Sequence, residues 1–267
     1  MTKKVGFIGT GNMGAAIIRG MAGDDNINLL GSDLNKASLK ALAEETGLTQ
    51  CENARDLAKE SDFIVLAVKP QHAPAVLEEI APELGESKCV ISIAAGLTVN
   101  QLRELCENRC AVVRVMPNTP ALVNAGVFAV CLDDSHLSDE QRSFTSEMFT
   151  PLGDVHVLAE SMFDSFTAVI GSGPAYVFYF MDAMIESAVE LGLPRDLARG
   201  MVEKLFEGST TLAQDSKLHV AHLREMVTSP AGTTVKALVH LDRTATRGNI
   251  IDAVRKSYER SIELGKK

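Results

Sequence analysis

The sequence predicts an α/β fold in two parts, a doubly wound parallel sheet followed by an all-helical domain, and three observations carry that expectation. Short apolar, β-branched runs alternate with helical patterns up to about residue 160, as in a sheet covered by helices on both faces. Near the N-terminus a strand, a glycine turn and a helix follow one another in the order of a dinucleotide-binding unit. Beyond Glu160 the strand signals nearly vanish and helical ones take over. The expected division is a Rossmann-type dinucleotide-binding domain over residues 1–160 and a helical dimerisation and substrate domain over residues 161–267.

Val5–Ile8 reads as a short buried strand, and Gly9, Gly11 and Gly14 make G-x-G-x-x-G before a helix with Met13, Ala16, Ile17 and Met21 at helical spacing. In such a turn the first glycine makes the bend, the second lets a pyrophosphate reach the backbone, and the third lets the helix pack on the strand. The anion then rests on the unpartnered N–H groups that open the helix. Asn28–Ser32 is the next strand-like run, and Asp33 ends it 19 positions after Gly14, near the spacing of a carboxylate that binds the ribose of NAD. The plainer alternative is a glycine turn in an unrelated α/β unit.

The spacing then predicts a helix over 36–46 with Leu39, Leu42 and Ala43 on one side, and a fully apolar strand over 63–67. Helices over 74–84 and 99–105 alternate with strands over 89–93 and 111–115. Strands over 126–132 and 155–158 flank a helix over 138–149. In the second half helices are expected over 162–169, 174–191, 194–212 and 245–264, with Pro174 and Pro194 as first-turn residues and Gly192 past a helix end. The helix 174–191 is apolar almost all round, so it is expected to be buried on every side. About a hundred residues of helix cannot cover it alone, which implies a second subunit.

Composition bounds the partners. The net charge of -9 and the lack of basic runs longer than two lysines argue against nucleic acid or an anionic membrane. The five cysteines are an odd number without C-x-x-C pairing, and Cys89 and Cys131 fall in apolar strand-like runs. They read as reduced thiols of a cytoplasmic protein. The N-terminal residues hold no apolar segment of signal-peptide or membrane-span length.

Ligands of doubly wound sheets sit at strand ends, and three such ends stand out: Ala67-Val68-Lys69-Pro70, Ile93-Ala94-Ala95-Gly96 and Met116-Pro117-Asn118-Thr119-Pro120. The small Ala94, Ala95 and Gly96 allow a cofactor against the backbone or simply close packing; Lys69 faces phosphate or ribose, or only solvent. In the helical half, Val227–Val235 combines hydroxyls, a proline, a glycine and a helix start. It is either a donor-rich cradle for a small carboxylate or a capped helix after a turn. Asp182, Glu186 and Glu190 at i, i+4 and i+8 offer a Mg²⁺ pair or, more simply, a wettable stripe. The histidines match no metal motif, and no metal is assigned.

With these motifs in hand, the chain resembles pyrroline-5-carboxylate reductase over its whole length. The likeness is carried by G-F-I-G-T-G-N-M from Gly6, A-V-K-P from Ala67, S-I-A-A-G from Ser92, M-P-N-T-P from Met116, G-S-G-P-A-Y from Gly171 and S-P-A-G-T-T from Ser229. It implies a Rossmann domain, a helical dimerisation domain giving a homodimer or a larger homo-oligomer built from dimers, and reduction of the cyclic imine 1-pyrroline-5-carboxylate to L-proline with NADPH or NADH. The cofactor contacts it implies are Ile8, Gly9, Thr10, Gly11, Asn12, Met13, Ser32, Asn53, Val68, Lys69 and Ala95; Asp33, Ala67, Pro70 and Ala94 join them from the strand ends. On the substrate side it implies Glu160, Thr233 and Thr234, with the carboxylate on loop amides around Gly232 and Thr234 as the catalytic hydroxyl.

Two departures matter. The family's loop reads S-P-G-G-T-T, whereas Ala231 stands for the first glycine and disfavours a positive φ there. Where many members have an Asn-Arg or Ser-rich turn suited to a 2′-phosphate, this chain has Asp33 and Leu34. An iminium is already electrophilic, so the chemistry asks for a positioned hydride rather than a nucleophile or metal. The absence of Lys, Arg and His from the helix 174–191 argues against a β-hydroxyacid dehydrogenase. A Mg²⁺-dependent ketol-acid reductoisomerase and a non-catalytic dinucleotide-sensing protein remain as alternatives.

Overall fold

The computed structural model describes residues 2–265. The first part runs β1 (Lys3–Ile8), α1 (Asn12–Met21), β2 (Ile27–Ser32), α2 (Lys36–Thr46), β3 (Thr49–Gln50), α3 (Ala54–Glu60), β4 (Phe63–Leu66), α4 (Ala73–Ile80), β5 (Cys89–Ser92), α5 (Val99–Leu105), β6 (Ala111–Met116), β7 (Gly126–Cys131), α6 (Asp139–Glu147) and β8 (Gly153–Val157). One eight-stranded sheet results, ordered β3-β2-β1-β4-β5-β6-β7-β8. The strand order reverses between β1 and β4, so the crevice at their C-terminal ends is where a doubly wound sheet takes its ligand. Side chains alternate between two cores: Phe7, Val65, Ile91 and Val113 face one layer of helices, while Ile8, Ile64, Leu66 and Val112 face the other. That is why these strands read as continuous apolar runs.

All pairings are parallel except β6 with β7, where Arg114 stands opposite Cys131. An all-parallel sheet is therefore corrected at this one joint. A parallel crossover needs a dozen or more residues, and only the short link from Pro117 to Ala125, with a 3₁₀ turn at Thr119–Val123, separates the two strands. β3 and α3 were not expected either: β3 has two exposed residues, and the seven of α3 are too few to show a period.

The rest is helical: α7 (Phe163–Phe166), a π turn (Thr167–Gly171), α8 (Gly173–Glu190), α9 (Arg195–Ser216), α10 (Val220–Met226), α11 (Thr233–Arg243) and α12 (Thr246–Gly265). α10 and α11 are additions to the four helices expected. The chain forms two compact units, a sheet unit that runs to Ser172 and resumes at Ser257, and a helical unit of Gly173–Lys256. Phe163 and Phe166 belong to the core of the sheet unit. The end of α12 returns to it, with Ser261 Oγ donating to Asp164 Oδ1 at 2.6 Å, the Ser172 and Ser257 hydroxyls 3.2 Å apart and Gln101 Nε2 donating to the Gly265 carbonyl at 3.4 Å.

Pro174 has no N–H for the carbonyl of Ile170, and Asn118 Nδ2 takes that carbonyl instead at 3.4 Å while its Oδ1 accepts from the Val127 amide at 2.9 Å. The asparagine of M-P-N-T-P is thus a bracket between β7 and the helical tract. None of the residues of α8 is buried within its own chain, as expected of a helix too apolar for about a hundred residues to cover without a second subunit. The tract Glu160–Glu190 is long and apolar enough to cross a membrane by length and composition alone, and its most apolar window is 6% buried.

Candidate active site

The glycine turn is built by close contacts that only hydrogen side chains allow. Gly9 has φ +96°, and a Cβ there would lie 2.7 Å from the Ala67 carbonyl oxygen; one on Gly14 would collide with the Gly9 carbonyl. Gly11 is different. Its φ is -65°, and a Cβ there would meet nothing within 4 Å, so it faces open space beside the helix start.

No side chain caps α1, whereas α2, α3, α5 and α6 are capped by Asn35, Asn53, Thr98 and Ser138. The first amides of α1 are therefore left to an outside acceptor. A cleft of about 620 Å³ opens there, lined by Thr10, Gly11, Asn12, Asp33 and Asn35 among others. An open cradle of bare amides over a glycine without a Cβ fits a pyrophosphate, so the residues present suit a dinucleotide.

Neighbouring strand ends converge on this cleft edge. Gly9 N–H donates to the Ser32 carbonyl and Ala67 N–H to the Ile8 carbonyl, both at 2.9 Å. Ile8, Thr10, Ser32 and Ala94 are buried, Met13, Val68 and Ala95 half-buried, and Asn12, Lys69 and Pro70 exposed. Ala94 and Ala95 follow β5, the parallel neighbour of β4. Asn53 lies past β3 on the same side of the sheet, but its side chain is occupied: Oδ1 accepts from the Asp56 amide and Nδ2 donates to Asp56, both at 2.8 Å.

Asp33 is also more committed than expected. Its Oδ2 accepts from the Thr10 amide at 2.6 Å and the Thr10 hydroxyl at 3.1 Å, and its Oδ1 from the Asn35 amide at 2.8 Å. Burial pushes this carboxyl up, but the Thr10 and Asn35 amides, the Thr10 hydroxyl and the charge of Lys36 outweigh it and hold it below the usual range.

Glu160 has two partners that the sequence did not suggest. Its Oε1 accepts from the Val99 amide at 2.7 Å and from Arg114 Nη1 at 3.0 Å, so it braces the start of α5 just after S-I-A-A-G. Arg114 is buried, with its guanidinium carbon 4.7 Å from the centre of the Phe163 ring. An arginine inside the otherwise apolar run 111–116 was the available signal, because a buried charge must be paired.

In the helical unit, Gly232 is the N-cap residue of α11 and offers no side chain as a cap, and Thr233 and Thr234 occupy the first turn. These amides repeat the arrangement at α1. Ala231 takes φ +59°, so the expectation that alanine disfavours a positive φ there is corrected: the residue sits in the left-handed region and bears the strain. Glu186 is held by Arg195 at 2.6 and 3.2 Å, which leaves Asp182 without the second carboxylate a Mg²⁺ pair would use. Among the described residues no group of three or more His, Cys, Asp or Glu is placed to hold a metal ion.

The strand reversal, the uncapped glycine-turn helix and the carboxylate at the end of β2 define a dinucleotide-binding protein with a Rossmann-type sheet. Residues 4–96 match the family model described as NADP oxidoreductase coenzyme F420-dependent, and residues 160–264 match that of pyrroline-5-carboxylate reductase dimerisation. The pyrroline-5-carboxylate reductase of Escherichia coli (strain K12) is 36% identical over 269 residues, covering 100% of both chains. A Plasmodium falciparum pyrroline carboxylate reductase solved with NADP bound superposes with a TM-score of 0.88 at 33% identity, covering 98% of each chain. The pyrroline-5-carboxylate reductase of Coxiella burnetii gives 0.88 at 32% identity over 100% of both. The chain belongs to the pyrroline-5-carboxylate reductase family.

Proposed function

We propose that this chain reduces 1-pyrroline-5-carboxylate to L-proline with NAD(P)H, the last step of proline synthesis. The observation that carries the reading is the end-to-end match to reductases of that name, which includes both the glycine turn and the Ser229–Thr234 loop. When bound, the nicotinamide supplies a hydride to the imine carbon, and the C=N electron pair is left on a ring nitrogen that already carries its proton.

The chain's own residues bind and orient. The turn Gly9 to Met13 and the first amides of α1 hold the pyrophosphate; Ile8, Ser32, Asp33, Asn53, Ala67, Val68, Lys69, Pro70, Ala94 and Ala95 line the rest of the cofactor site. The amides of Gly232 and Thr233 hold the substrate carboxylate, and the Thr234 hydroxyl hydrogen-bonds the ring nitrogen. Glu160 acts on the substrate side through the loop it braces. Functionally the chain divides into a cofactor part, residues 1–160, and a substrate and dimerisation part, residues 161–267; the dimerisation match beginning at residue 160 supports that boundary. The working form is a homodimer, or an assembly of dimers, in the cytoplasm. The bare apolar surface of α8 and the free cysteines support this.

The test is turnover of the imine with NADH and with NADPH, each with and without EDTA. Thr234→Ala is expected to lower kcat/KM by roughly 1.5 to 3 kcal/mol, about one to two decades, with dinucleotide affinity unchanged. Dinucleotide binding without imine turnover would favour a sensing protein; loss of activity in EDTA would favour a metal-dependent reductase.

A further inference from the structure

We infer that Asp33 makes this chain select NADH over NADPH, as a specificity-determining residue of the cofactor cleft; the inference rests on the reductase reading above. Asp33 stands at the end of β2 and lines the cleft with the glycine turn. A carboxylate has about four lone-pair sites. The Thr10 amide, the Thr10 hydroxyl and the Asn35 amide fill three of them, which leaves one on Oδ1 for a single ribose hydroxyl.

The same bonds fix the anion in place, so it cannot turn away from a 2′-phosphate. Among the described residues that line this cleft, the one cation, Arg19, is already paired: its Nε and Nη2 are held by the two oxygens of Glu45 at 2.7 and 2.8 Å. Lys36 Nζ donates to the Glu52 carbonyl at 2.6 Å, and its charge serves Asp33. The residue after Asp33 is Leu34, which is fully exposed and uncharged. A phosphate on the ribose would bring a charge of about -2 beside a fixed carboxylate, where the neighbouring cations Arg19 and Lys36 already have partners. The Plasmodium falciparum relative was solved with NADP bound; the selectivity inferred here rests on this chain's own Asp33.

The experiment is fluorescence titration of wild type and Asp33→Ser with NADH and NADPH, together with displacement by 5′-ADP and by 2′,5′-ADP. Wild type should bind NADH about tenfold or more tighter than NADPH, and 5′-ADP tighter than 2′,5′-ADP. Asp33→Ser should shrink or invert both ratios, whatever it does to overall affinity through the lost Thr10 contacts. A wild type that binds the phosphorylated ligands equally or better, or a ratio unmoved in Asp33→Ser, overturns the inference. If the variant does not fold, the ADP pair on wild type decides alone. These are binding readouts: absence of imine turnover would strike the reductase reading and leave this result standing.

Discussion

Strands β4 and β5 bury every residue from Phe63 to Leu66 and from Cys89 to Ser92, whereas α8 buries none of its 18 residues although it is equally apolar to the eye. The sheet unit closes its cores with its own helices. In the helical unit Ala198 and Val202 are the only buried apolar residues among those described, and Phe178 is left 62% exposed. Fully burying one such side chain is worth about 1.5 to 3 kcal/mol. One unit is thus closed by its own chain, and the other leaves its most apolar helix uncovered within it.

That contrast can be broken most sharply on α8. Phe178→Asp places a charge where a partner must seat, at a cost of several kcal/mol. Sedimentation should show the dissociation constant raised by about three decades, while the sheet unit still binds dinucleotide. An oligomer that survives the change would mean that the covering surface lies elsewhere.

Within the sheet unit the glycines separate folding from binding. Gly11→Val adds carbon to open space and should cost about 0.5 kcal/mol of stability or less, yet it should weaken dinucleotide binding about a hundredfold because the pyrophosphate needs that space. Gly14→Val drives a Cβ into the Gly9 carbonyl and should lower the melting temperature itself. Equal behaviour of the two variants in thermal melts and titrations would refute the division of roles.

The smallest effect belongs to the helical unit. Ala231→Gly relieves an alanine at φ +59°, a gain of about 1 to 2 kcal/mol offset by about 0.5 to 1 kcal/mol of added chain entropy. Thermal unfolding should show a rise of a few degrees at most. A fall would mean that the alanine methyl makes a packing contribution larger than the strain.

The same contrast governs what was legible in the sequence. The sheet unit is written in local signals: apolar runs closed by the chain itself, a glycine turn whose spacing follows from contact distances, and Asp33 at a fixed offset. Legibility fails there only where an element is too short for a period, as with β3 and α3, or where a link of nine residues reverses a strand. Asp33 was found, but its hold on Thr10 was not, since hydrogen bonds across 23 positions leave no periodic trace. In the helical unit α8 was legible as a helix too apolar for its own domain to cover, but which of its faces stay bare was not, because burial by a second chain and burial by one's own look alike in residue pattern. α11 was visible only as a helix start, and Ala231 shows that side-chain preference is a weak guide where the loop dictates φ.

The return of α12 makes the helical unit an insertion within the sheet unit rather than a tail. Residues emerge from a ribosome in order, so the sheet can pair its eight strands early, but the partners of Asp164 and Gln101 at Ser261 and Gly265 are made only after the helical unit. Native closure of the first unit therefore waits for synthesis of the second. A fragment stopped at Ser172 would carry the whole cofactor cleft and still lack these bonds, so dissection into independent pieces should leave it less stable than its complete set of strands suggests.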